Sequence, residues 1–204
     1  MLEKLIKKLH SKNFKAYFVE NSDEAKELAL SLIPKDSIIG MGNSLTLRET
    51  GIFNELVSGS YNVLNQFKEG LTPEENLKLR RQSLLSDVYF TGVNAITENG
   101  ELINIDGKGN RIAAMAFGPN KVIIVAGKNK IVKDEEEAWD RLRNHTAPSL
   151  AAKLGRSTPC ATTKECSDCS SPQRICRYYS IIKSQMPADA DRTHIIIVNE
   201  DLGI

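Results

Sequence analysis

Short apolar runs bounded by turn residues recur along the chain: Ser37-Ile38-Ile39-Gly40, Asp87-Val88-Tyr89-Phe90-Thr91-Gly92, Lys121 to Ala126, and Thr193 to Val198. A strand buried on both faces reads as a continuous run rather than an alternation. Strands of that kind belong to parallel sheets with helices on both sides. The intervals between the runs carry helical signals. Leu2, Leu5, Ile6 and Leu9 fall on one face of an amphipathic helix over 1–12. A strand is expected from Phe14 to Val19, then a helix capped by Ser22 and Asp23 to about Leu32. A further helix starts near Leu45, and Tyr61 to Leu64 is a candidate strand. Thr72-Pro73-Glu74-Glu75 combines an N-cap, a proline at N1 and a glutamate at N3, which starts a helix running to about Leu85. Asp134 to Asn144 is a charged helix with acids first and arginines later, as the helix dipole favours. A short helix follows Pro148.

One stretch departs from this alternation. Ala95 to Ile105 contains two alternating segments around Asn99-Gly100, the residues of a type I′ hairpin turn, and residues 110–118 are expected to add a strand. The fold class is therefore α/β: a mostly parallel, Rossmann-like sheet flanked by helices, with a small antiparallel hairpin insertion. At 204 residues the chain suffices for one good core with an appendage. The division expected is 1–155 for the α/β domain, and 156–204 for a cysteine-rich loop with a helix and strand packing back on the core.

The balance of 27 basic and 26 acidic residues, without a basic stripe or interleaved aromatics, argues against a nucleic-acid partner. No apolar run is long enough to span a membrane, and the lysine-rich start lacks the apolar centre of a secretory signal. A cytoplasmic protein is expected. All four cysteines, Cys160, Cys166, Cys169 and Cys176, fall within seventeen residues spaced C-x5-C-x2-C-x6-C. In such a setting clustered cysteines point to metal rather than disulfides. The four are expected to converge on one site, and the spacing fits zinc or an iron–sulfur cluster.

Four stretches together suggest a family: Gly40 to Glu49 (GMGNSLTLRE), Asp87 to Asp106 (DVYFTGVNAITENGELINID), Gly109-Asn110-Arg111, and Gly118 to Val132 (GPNKVIIVAGKNKIV). The chain resembles the lactate utilisation (LUD) domain family along its whole length. It is most like short members ending in a PCxxTGxCxDC-type segment, although Lys164 stands where that pattern has glycine. The resemblance implies a fold like that of the phosphosugar isomerase, deaminase and CoA-transferase superfamily. It also implies a place in an iron–sulfur system oxidising L-lactate, with a [4Fe–4S] cluster favoured over zinc and with electron-transfer partner subunits.

The candidate ligand-binding residues lie on three loops at strand ends, where open α/β sheets place their sites. The first loop offers Gly40, Gly42, Ser44 and Thr46: glycines let main-chain N–H groups approach an anion, and the hydroxyls add donors. The second offers Asn94, Thr97, Asp106, Asn110 and Arg111, with Arg111 as a carboxylate or phosphate clamp. The third offers Lys130 for an anionic small molecule. Each also has a plainer reading as a turn or solvated residue. Glu98-Asn99-Gly100 resembles the signature of class I CoA-transferases, which makes Glu98 a candidate nucleophile. Asn99 and Gly100 are equally explained by a turn. The alternatives to the redox reading are thus a CoA-transferase-like acyl transferase and a non-enzymatic binding subunit with structural zinc.

Overall fold

A computed structural model describes residues 2–204. In chain order the elements are α1 (Leu2–Ser11), β1 (Lys15–Val19), α2 (Ser22–Ser31), β2 (Ile38–Met41), α3 (Leu45–Glu49), α4 (Ile52–Ser58), β3 (Asn62–Val63), α5 (Pro73–Gln82), β4 (Val88–Thr91), β5 (Ala95–Thr97), β6 (Leu102–Asp106), α6 (Asn110–Ala116), β7 (Lys121–Gly127), β8 (Ile131–Val132), α7 (Glu135–Arg141), α8 (Ala147–Lys153), α9 (Pro159–Thr163), β9 (Tyr178–Ile182) and β10 (Thr193–Val198).

Six strands form one sheet in the order β1-β10-β7-β4-β2-β3, and every pairing in it is parallel. Parallel pairing follows from the apolar runs, because β7 and β10 are buried along almost their whole length. Ile123 and Val125 of β7 face one layer, with Ala25 and Ala29 of α2 and Ile52 and Leu56 of α4. Val122, Ile124 and Ala126 face the other, with Leu5 and Leu9 of α1 and Met115 of α6. Each such branched side chain contributes about 2 kcal/mol of burial, so both layers are held independently. A four-stranded sheet, ordered β8-β5-β6-β9, packs beside the second layer. Its β5–β6 and β6–β9 pairs are antiparallel and its β5–β8 pair is parallel. Ile96 and Leu102 face the core of the main sheet, while Ala95, Ile103 and Ile105 face Ala138 and Leu142 beyond it.

Several local expectations are corrected. Residues 110–118 do not form a strand: α6 starts at Asn110 after Gly109 at φ 81°. The Asp106 carboxylate accepts hydrogen bonds from the main-chain N–H of Arg111 (3.0 Å) and Ile112 (3.4 Å), which satisfies two of the free donors of the helix start. The third strand of the small sheet is instead β9, far along the chain. The hairpin at Asn99-Gly100 is not a type I′ turn. Of its residues only Gly100 takes positive φ, at 79°, and Gly100 N–H bonds the Thr97 oxygen at 2.8 Å. This is a turn closed by a glycine bulge, the common longer alternative. Asn21, not Ser22 or Asp23, caps α2, accepting from Glu24 N–H at 2.9 Å. The capping box at Thr72 and Glu75 is present. Between β9 and β10 the chain has a 3-10 turn, Pro187–Asp189. Among the described residues no helix is long and apolar enough to cross a membrane.

Candidate functional site

The order of the main sheet fixes where a ligand can sit. From β2 the chain steps outward to β3, then crosses back over β2 to β4 on its other side. The loops leaving β2 and β4 therefore diverge, and a crevice opens at their carboxyl ends. A cavity of about 420 Å³ lies there. Asn43 to Thr46 enter it after β2, and Gly92 to Asn94 after β4. The two exits nearly touch: a Cβ on Gly92 would lie 2.8 Å from the Ser44 hydroxyl oxygen.

Seven of the candidate residues line this cavity: Ser44, Thr46, Asn94, Asp106, Asn110, Arg111 and Lys130. Gly42 stands just behind it, where a Cβ would come within 2.9 Å of the Thr91 hydroxyl and 3.4 Å of Arg111 Cδ. Three candidates are placed elsewhere. Gly40 is pressed against Ser83, Ser86 and Tyr89. Thr97 is buried in a hydrogen bond with Glu101. Glu98 is exposed at the hairpin tip and does not line the cavity.

The lining carries five cationic side chains, Arg80, Lys108, Arg111, Lys130 and Arg156, against one acid, Asp106. They are not equally free. The Arg111 side chain is 11% exposed. Its Nη1 donates to Gly92 O (3.1 Å) and Asn104 Oδ1 (2.7 Å), and its Nη2 to Asn94 Oδ1 (2.9 Å) and Ile105 O (2.6 Å). Its Nε faces Asp106 at 4.0 Å. The guanidinium thus ties β4, β6 and α6 together, and its terminal donors are spent inside the protein. Arg80 is held by Asn76 at 2.7 Å along α5 and reaches Asn110 at 3.4 Å.

Lys130 differs in kind. It is 2% exposed, and its Nζ donates to the Ile204 main-chain oxygen. Burial, and then the neighbouring Arg141, push its pKa down to about 7, with Glu49 acting in the opposite sense. His145 is also lowered, by burial and by Arg141 and Lys130. Gln66 also lines the cavity and is buried, with its Nε2 bonded to Met41 O and its Oε1 without a partner. Sequence reasoning missed Gln66, Asn76, Arg80, Thr146 and Arg156. Asn76 and Arg80, four apart on a polar helix, carry the only available signal, and it looks like an ordinary solvated face.

A family model described as the LUD domain matches residues 2–198. The chain belongs to the LUD domain family. A crystal structure of a DUF162 family protein from Deinococcus radiodurans resembles it with a TM-score of 0.54. That match covers 97% of this chain and 96% of the other at 14% identity, a likeness of fold. Ribose 5-phosphate isomerase A from Methanocaldococcus jannaschii has a TM-score of 0.34 at 19% identity, over 66% of each chain. A ribose 5-phosphate isomerase from Plasmodium falciparum has 0.33 at 19%, over 55% of this chain and 52% of that one. No curated protein matches the sequence significantly.

In this LUD-family chain the cysteine segment leaves and rejoins the fold at the cavity wall, since Arg156 and Ile175 both line it. Its neck is tied where Ser157 N–H donates to Gln173 Oε1 (3.0 Å) and Ser171 Oγ donates to Ser157 O (3.2 Å). All four thiols are free and half-buried. Among the described residues no three His, Cys, Asp or Glu side chains gather as a metal site. Cys160 meets the Thr158 hydroxyl at 3.4 Å, and Cys176 packs with Trp139 against the core beside α7. The donor set fits a cluster or zinc by its chemistry, with four soft ligands on a short helix and the irregular backbone after it. Arg174 sits among them, bonded to Cys169 O at 2.6 Å and paired with Asp168 at 3.5 Å, its pKa raised first by Cys176. Lys164, where the family pattern has glycine, adopts φ 63°, the left-handed conformation that glycine favours.

Proposed function

We propose that the protein is a component of a lactate-utilisation-type redox system that oxidises a small hydroxy acid such as L-lactate, and that it binds the acid as its anion in the cavity at the β2–β4 crevice. One observation carries the reading. The two ends of the cysteine segment, Arg156 and Ile175, form part of the wall of a cavity whose charged residues are five cations and one acid. A redox-capable segment and an anion site are thereby neighbours.

Lys108, Arg80 and Arg156 supply the charge that would hold a carboxylate. Asn43 and Ser44, which line the cavity, supply polar partners for a hydroxyl group. A hydroxy acid offers both groups. Arg111 positions Asn94 and Asp106 rather than contacting the ligand. A [4Fe–4S] cluster held by Cys160, Cys166, Cys169 and Cys176 would supply one-electron transfer to partner subunits. Zinc in the same thiols would supply structure alone. Glu98, exposed and away from the cavity, gives the acyl-transfer alternative no substrate site.

The test is purification without air, with iron, sulfide and zinc analysis, alongside calorimetric titration of L-lactate. About four iron and four sulfide per chain, lost when Cys166 and Cys169 are replaced by serine, is the expected result. One zinc and no iron would overturn the redox reading. Failure of L-lactate and other small hydroxy acids to bind would overturn the substrate assignment.

A further inference from the structure

Lys130 has more chemistry available than holding an anion. We infer that its Nζ is a nucleophile that condenses with the carbonyl carbon of an anionic oxo compound, a 2-oxo acid above all, bound in the cavity. This rests on the reading of the cavity as an anion site and adds a covalent step to it.

The geometry supports the step in three ways. Lys130 follows β7, a strand buried almost throughout, so the amine stands on a rigid support. It is nearly sealed from solvent yet lines the cavity. The groups facing it are Arg141 from α7, Glu49 from α3 and His145 from the π-helical turn Leu142–Thr146. Burial and the Arg141 charge favour the neutral amine, the two influences that activate lysine nucleophiles. As a neutral amine Nζ donates one N–H to the Ile204 oxygen and keeps its lone pair for a carbonyl.

The step balances without another reagent. The lone pair attacks the carbonyl carbon, and the C=O π pair moves to oxygen to give a carbinolamine. The C–O bond then breaks, the oxygen leaves as water with both amine hydrogens, and a C=N bond joins substrate to lysine. The reaction is reversible and involves no oxidation. The cationic lining selects carbonyl compounds that carry a carboxylate or phosphate over neutral ones.

The experiment treats the full chain with pyruvate and sodium cyanoborohydride near pH 7 and locates the reduced adduct by peptide mass spectrometry. Acetone serves as the neutral carbonyl and inorganic phosphate as the competitor. At pH 7 about half of the Lys130 amines are free. The ordinary lysine value of about 10.4 leaves fewer than one in a thousand free at an exposed site. The Lys130 peptide should therefore be labelled on the order of ten times or more faster than that of exposed Lys128. Its advantage over Lys128 should narrow as pH rises above about 8, and its labelling should slow with phosphate and greatly exceed that with acetone. Labelling of Lys130 no faster than Lys128 would overturn the inference. If phosphate still binds by calorimetry in that case, the anion site stands and only the covalent step falls. If phosphate does not bind either, both fall. Lys128→Arg, outside the cavity, should leave the labelling of Lys130 unchanged, and a fall in that labelling would overturn the inference.

Discussion

Replacing Arg111 by methionine separates a residue that holds the site together from one that holds a ligand. Methionine fills similar length and removes the guanidinium. Four acceptors then lose a charged donor: Gly92 O, Ile105 O, Asn94 Oδ1 and Asn104 Oδ1. The loss is softened at the two amides. Asn94 Oδ1 still accepts from Ile105 N–H at 3.0 Å, and Asn104 Oδ1 from Asn94 N–H at 3.2 Å. The two main-chain oxygens lose their guanidinium contacts, and the Asp106 carboxylate, 14% exposed, loses the cation 4.0 Å away. A charged hydrogen bond contributes about 1.5–3 kcal/mol, and breaking a buried charged network costs about 3–5 kcal/mol. The latter range is the expectation here, because the four bonds are lost as a unit. In a chain of this size it corresponds to a fall in Tm on the order of 10 °C. Urea unfolding should show a lower midpoint with an unchanged slope. Arg111→Lys, which keeps the charge but cannot span both amides, should fall between. A methionine variant within about 1 kcal/mol of the parent that had nevertheless lost phosphate binding would refute the reasoning. It would mean that the guanidinium is free for ligand.

Two other outcomes are expected. Lys130, with its pKa lowered to about 7 by burial, releases its proton in the folded state while the unfolded chain holds it to about pH 10.4. The unfolded state thus binds more protons between those limits, so stability rises with pH across about 7 to 10, by up to about 4 kcal/mol. Chemical denaturation of the parent and of Lys130→Met over that range should show the gain only in the parent. Lys164→Gly should stabilise the cysteine segment against limited proteolysis by about 0.5–1 kcal/mol, because it relieves a side chain held at φ 63°. A faster-cut variant would contradict that.

The main sheet was legible because β2, β4, β7 and β10 are buried on both faces, so their sequences state their environment almost without context. The site at the β2–β4 exits was legible for the same reason, since parallel strands bring their carboxyl ends to one edge of the sheet. β9 was not legible. Its residues are exposed or half-buried, an edge strand between Arg177 and Lys183 with no periodic signal, and only its pairing with β6 makes it a strand. Residues 110–118 misled because Ile112 to Phe117 is apolar enough for either structure, and the deciding contact is the Asp106 carboxylate on the main chain of Arg111. Gln66 and Arg156 come to the cavity from loops whose paths depend on tertiary packing. Their spacing from the other lining residues carries no information.

The place of β10 has a consequence for how the molecule is made. β1 has a single neighbour in the sheet, β10, with Lys15 opposite His194. Leu5, Leu9 and Phe14 find their cover in part on Ile195 and Ile197 of that same strand. None of this can form until residue 198 has left the ribosome, which at about 5–20 residues per second takes on the order of 10–40 s after β1 appears. For that interval an amphipathic helix and an unpaired strand stand exposed on the nascent chain, while β2, β3, β4 and β7 can already assemble beside them. The most sequence-distant contact in the sheet is also its closing one, so β1 should become native last, after strands that follow it in the chain.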